Sequence, residues 1–168
     1  DTEVLVHAYE EYGDDFVPDL VQEAARVELL AGQLDRAADL LRPACDALRR
    51  SGDRAWLATM TATLGEAEYS SGRYGEALSL ARTAAEAAVA DDVIVQSSWR
   101  RVCAKALART GSHRDAHRLA HAAIELLEPS DWLSEQGGAL LDLAEVLDLG
   151  GLEQEALAAT EEALALLE

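Results

Sequence analysis

Small and apolar residues recur along this chain at intervals of about 3.6 residues, and glycine breaks the pattern at regular distances. Gly32, Gly72, Gly111 and Gly151 lie 40, 39 and 40 residues apart, and they sit in the related phrases AGQLDRA, SGRYGEA, TGSHRDA and GGLEQEA. Five residues after each glycine stands Ala37, Ala77, Ala116 or Ala156, and seven further on stands Ala44, Ala84, Ala123 or Ala163. Seven residues before each glycine the residue is again small: Ala25, Gly65, Ala104 and Ala144. Glycine ends one helix and permits a tight reversal, while small residues at helical spacing let antiparallel helices approach closely. The pattern therefore predicts four helical hairpins. Helix A of each runs over 17–31, 54–71, 93–110 and 131–149, and helix B over 34–50, 74–89, 113–128 and 153–168. Asp15 with Pro18, Asp53, Asp92, and Ser130 after Pro129 supply the start signals.

The units so defined cover 14–52, 53–91, 92–129 and 130–168 of a single repeat domain, 1–168. Residues 1–12 read as the trailing helix of an earlier unit, because Tyr12-Gly13-Asp14 parallels Ser51-Gly52-Asp53. The last helix carries Leu157, Leu164, Leu166 and Leu167 with no polar capping helix after it. With no initiating Met, the expectation is a fragment of a larger protein.

Composition supports helix over sheet. Ala (33) and Leu (27) account for 60 of 168 residues, whereas Val and Ile together account for 12. The formal net charge of −18 argues against nucleic acid and anionic membrane as partners. That charge is not uniform. Residues 1–25 hold eight acids and no Lys or Arg, residues 26–118 twelve acids and fourteen bases, and residues 119–168 twelve acids and no base. The apolar runs are too short to span a bilayer, and the first twenty residues lack the pattern of a signal peptide. Cys45 and Cys103 read as reduced thiols, and the expected location is cytoplasmic.

The recurring small residue, Gly and paired alanines resemble the pattern of the tetratricopeptide repeat (TPR) family over almost all of 14–168. The units depart from it in length, 39 to 40 residues against about 34, and in lacking a late Pro; extra residues at the start of helix A account for the length. The resemblance implies an all-α, right-handed superhelical solenoid of antiparallel hairpins. More specifically, DDVIVQSSWRRVCAKALARTGSHRDAHRLAHAAIEL followed by GGALLDLAEVLDLGGLEQEALAATEEALALLE is similar to the C-terminal repeat region of large bacterial regulators. In those, a class III adenylate/guanylate cyclase or a transcriptional-activator domain is joined to an ATPase module and then to repeats. This implies a signalling protein and carries no catalytic residue onto the segment.

In such a stack the A helices line the concave, partner-binding surface. The residue six before each glycine faces it, and reads Arg26, Glu66, Lys105, Glu145 along the stack. Alternating signs predict a ladder of mutually satisfied pairs. Against that, Arg101, Lys105 and Arg109 recur at i, i+4, i+8 on one helix face and offer a cationic stripe for an acidic peptide, with Gln22, Arg26 and Tyr69 as groove neighbours. Reversing Arg101 and Lys105 to Glu is then expected to abolish such binding without loss of helicity. Ser98 and Val102 stand where a carboxylate-clamp repeat carries basic residues, so that function is not implied.

His113, His117 and His121 share the same spacing, which suits two imidazoles on one metal. At the first two positions the other repeats carry Leu34, Tyr74, Glu153 and Ala38, Leu78, Leu157, so structural or surface roles are expected and no metal or cofactor is assigned. Asp142, Glu145 and Asp148 share one face of the fourth A helix and read as a solvated surface, since acid–base chemistry needs a dry pocket. No phosphate-binding Gly-rich loop, His-Glu-x-x-His or nucleophile elbow occurs. Trp56, Trp99 and Trp132 are expected to pack between repeats. The resulting expectation is a non-catalytic module that binds a protein or peptide, or another domain of the same polypeptide. The alternative is a homodimerisation element working through the uncovered terminal helix.

Overall fold

The computed structural model describes residues 16–167, in which eight α-helices and no strand occur. They are α1 (Phe16–Leu30), α2 (Leu34–Ser51), α3 (Arg54–Ser70), α4 (Tyr74–Ala87), α5 (Val93–Arg109), α6 (His113–Leu127), α7 (Leu133–Leu149) and α8 (Glu153–Leu167). Every bound lies within two residues of its expectation. The trailing helix expected over 1–12 lies outside the described residues.

The same turn is built four times. Gly32, Gly72, Gly111 and Gly151 have φ of 71°, 77°, 85° and 77°, and no neighbouring atom stands within 4 Å of a Cβ placed there. Left-handed backbone, not lack of room, is what selects glycine here. Each glycine N–H bonds back to the carbonyl three residues earlier, as Gly32 to Leu29 at 3.0 Å, and the next N–H reaches five back, as Gln33 to Glu28 at 2.8 Å. This Schellman arrangement satisfies the last carbonyls of each A helix. Asp53 and Asp92 cap α3 and α5 as expected, their carboxylates accepting from Trp56 N and Val95 N at 3.1 Å.

Alanine sets the helix spacing. Ala37, Ala77, Ala116 and Ala156 are buried, as are Ala25, Ala104 and Ala144 on the facing helices. Gly65 is the tightest of the series: a Cβ there would lie 3.1 Å from Val102 Cγ1 and 3.6 Å from Leu80 Cβ, so α3, α4 and α5 meet at this point. The core is a chain of clusters along the stack rather than one centre. Each A helix also packs its backbone close to the next A helix, as α1 with α3, α3 with α5 and α5 with α7, whereas among the described residues the B helices stand further apart, α2 and α4 meeting through the long side chains of Arg42 and Glu76. Closer A helices put the A side on the inside of the curve, which creates a concave face. Cys45 and Cys103 are free and buried. No described helix is long and apolar enough to cross a membrane.

Candidate binding groove on the concave face

A groove enclosing about 610 Å³ runs along the concave side, and every residue lining it comes from α1, α3, α5 or α7. Five of the eight sequence-expected residues line it: Gln22, Arg26, Glu66, Arg101 and Lys105. Trp56, Ile94, Val95 and Val102 give it apolar surface, and Thr59, Thr63 and Ser98 give it small polar groups. Tyr69, Arg109 and Glu145 do not line it, but form a linked cluster between α3, α5 and α7.

The cations are paired. Arg101 donates to Asp142 at 2.6 Å and to Glu135 at 3.1 Å. Lys105 is 4% exposed and bridges Glu66 at 2.7 Å and Asp142 at 2.9 Å, with its ammonium 4.9 Å from the Tyr69 ring centroid. Burial opposes the Lys105 charge, but Asp142 and Glu66 outweigh it, so its pKa is raised. Asp142 behaves reciprocally: burial favours its neutral form, and Lys105 and Arg101 overcome that and hold the carboxyl below its ordinary range. Arg109 donates to Tyr69 Oη at 3.0 Å and to Glu145 at 2.5 Å, and Tyr69 in turn donates to Glu145 at 2.5 Å. Burial, then the bond to Glu145, pushes the Tyr69 phenol up to about 12.

These pairings correct three expectations. The stripe Arg101, Lys105, Arg109 is not a free cationic face, because each member is neutralised by a carboxylate of a neighbouring A helix. Reversing Arg101 and Lys105 would set buried acids against Asp142 and Glu66, and so tests stability rather than ligand binding. The ladder forms only in part: Lys105 meets Glu66, but Arg26 is exposed and pairs with Glu23 at 3.7 Å, and Glu145 goes to Arg109. Asp142 is not on a solvated face; it is turned into the groove between two cations, while Asp148 is exposed.

Gln22 is buried. Its Nε2 donates to Thr63 Oγ1 at 2.6 Å, Thr63 donates to Thr59 O, and Gln22 Oε1 has no partner among the described residues. Trp56 and Trp99 are partly buried against core clusters, and Arg100 stacks 4.2 Å from the Trp99 ring centroid. Trp132 departs from the packing role: it precedes α7 and is 46% exposed. His113 and His117 are exposed despite occupying packing registers.

One charged cluster escaped the sequence reading. Glu68 is fully buried, held by Arg42 of α2 and by Arg73 ahead of α4. A signal was present: four residues before the turn glycine stand Glu28, Glu68, Leu107 and Leu147, so two units place an acid at an apolar register. Glu28 is likewise met by an arginine of the following B helix, Arg36 at 3.0 Å.

No family model and no curated protein matches this chain. Among solved structures it is similar to BtubC (BKLC) from P. vanneervenii, with a TM-score of 0.69 and 17% identity over 98% of this chain and 69% of that one. A putative kinesin light chain from Podosopora anserina, with nearly identical TPR-like repeats, gives 0.61 and 18% over 98% and 82%. MamA MSR-1 gives 0.53 and 21% over 98% and 86%. At these identities the likeness shows the fold: an all-α solenoid of TPR-like hairpins.

Proposed function

We propose that this TPR-like solenoid is a non-catalytic interaction scaffold of a cytoplasmic bacterial signalling or transcriptional regulator, and that its concave groove holds a polypeptide segment of a partner or of another domain of the same chain. The carrying observation is the groove itself, built solely from A helices, with apolar surface beside polar groups. The regulator context rests on the sequence resemblance. The groove contains five acids (Asp19, Glu23, Glu66, Glu135, Asp142) against three bases (Arg26, Arg101, Lys105), and the bases are engaged. The occupant is therefore basic or neutral with an apolar anchor, in place of the acidic peptide that the bare stripe suggests.

Peptide display against the full chain, counter-selected with the groove-filling variant Ser98→Trp, tests this. Enrichment of Lys- or Arg-bearing peptides that the variant fails to bind supports the reading. Enrichment of acidic peptides overturns the charge preference alone, and failure of any peptide to discriminate the variant overturns the groove.

A second reading has its own observation. Leu157 and Leu164 of α8 are 60% and 56% exposed, although in α2 the equivalent Ala38 and Cys45 are buried. That apolar face suits a homodimer through the terminal helix. Light scattering decides: a monomer at every concentration removes it, and a dimer that survives high salt supports it.

A further inference from the structure

Outside the groove, on α6, the imidazoles of His117 and His121 bring their Nε2 atoms within 3.2 Å of each other. We propose that this pair is a binding site for a divalent transition-metal ion of the Zn²⁺ class.

The two residues lie one turn apart on the exposed side of a helix whose other side buries Ala116, Ala120, Ala123 and Leu127. Packing of that alanine face fixes the helix, and with it the two Cβ positions. The ring centroids are 4.3 Å apart and the planes inclined by 53°. Zinc–nitrogen bonds of about 2.0–2.1 Å at a tetrahedral angle place two imidazole nitrogens about 3.3 Å apart. The observed separation of 3.2 Å therefore matches the span that one ion requires of two imidazole nitrogens.

In the metal-free protein the same approach is a hydrogen bond, one ring donating its Nε2–H to the lone pair of the other. Metal binding needs both Nε2 lone pairs, so the shared proton moves to Nδ1 of its own ring. With both rings neutral this is a change of tautomer and releases no proton. Glu125, one turn beyond His121, places a negative charge near the pair.

Among the described residues no cluster of three His, Cys, Asp or Glu ligands occurs. The ion thus keeps open positions for water, as in an exchangeable site rather than a closed structural one. His113 is not the third ligand; its Nδ1 faces the Gly150 turn. The repeat comparison hides the pair, because it treats His117 as a packing register.

Calorimetric titration of ZnCl₂ into the full chain near neutral pH tests the site. One saturable event is expected, weakened roughly tenfold or more in His117→Ala or His121→Ala through loss of chelation. It should be unchanged in His113→Ala and His7→Ala. Zinc should also raise the unfolding temperature of the parent chain but not of the double variant His117→Ala/His121→Ala. Absence of saturable binding, or binding that persists in the double variant, overturns the proposal.

Discussion

Lys105 Nζ lies 2.7 Å from Glu66 Oε1, joining two residues that occupy the same register of successive repeats. The second bond of Lys105, to Asp142, reaches the next A helix, so one buried ammonium links α3, α5 and α7. Removing it leaves Asp142 with Arg101 as its remaining cation. Lys105→Met is expected to cost about 3 kcal/mol, the scale for breaking one side of a buried pair. Glu66→Gln, at the more exposed end, should cost less than about 1 kcal/mol. Urea unfolding at constant slope measures both; equal costs would show that burial of the pair contributes nothing.

Stability should fall at both ends of the pH scale for identifiable reasons. The Asp142 carboxyl is held low in the folded state, so its contribution is present above the unfolded value of about 3.9 and is lost as pH falls through the folded one. Lys105 and Tyr69 are raised, so their contributions are complete below the unfolded values of about 10.4 and 10 and are lost as pH climbs through the folded ones, about 12 for Tyr69. Urea midpoints should be flat near neutrality and drop above about pH 10. Tyr69→Phe should flatten the alkaline limb; an unchanged limb would remove Tyr69 as a cause.

Two glycines should respond to alanine for opposite reasons. Gly72→Ala meets open space but must adopt φ near 77°, and is expected to cost about 1–2 kcal/mol. Gly65→Ala has ordinary backbone but sets its Cβ 3.1 Å from Val102 Cγ1. A double-mutant cycle with Val102→Ala should therefore show coupling of about 1 kcal/mol, the smaller side chain relieving the clash. Strict additivity would mean that α5 simply shifts to accommodate the methyl group.

These glycines and alanines also show why the fold was so legible. Backbone sign and helix spacing are dictated by single residues at fixed offsets, and an offset repeated four times can be read without coordinates. The groove's electrostatics were less legible. Periodicity placed Arg101, Lys105 and Arg109 on one face, but which carboxylate each meets depends on the lateral register of neighbouring helices, which a one-dimensional period does not contain. Asp142 shows the difference: grouped by spacing with Asp148 it reads as solvated, yet one points between two cations and the other into water.

Glu68 offers the sharpest test of how far the repeat itself dictates stability. Its carboxylate is fully buried between Arg42 and Arg73, but each arginine has a second acid, Glu76 at 2.7 Å and Asp35 at 3.5 Å, and both are partly exposed. Substitution by the residue of the later repeats, Glu68→Leu, removes the buried charge and leaves both cations with partners. Replacing a buried ion pair by a well-packed apolar group is often neutral or stabilising by about 1–4 kcal/mol. Glu68→Leu should thus unfold at or above the parent temperature. Glu68→Ala, which removes the charge and leaves a void, should unfold below that temperature, its stability lowered by about 2 kcal/mol or more. If Glu68→Leu proves as damaging as Glu68→Ala, the arginine cage, rather than desolvation of the carboxylate, dominates the balance at this joint between the first two hairpins.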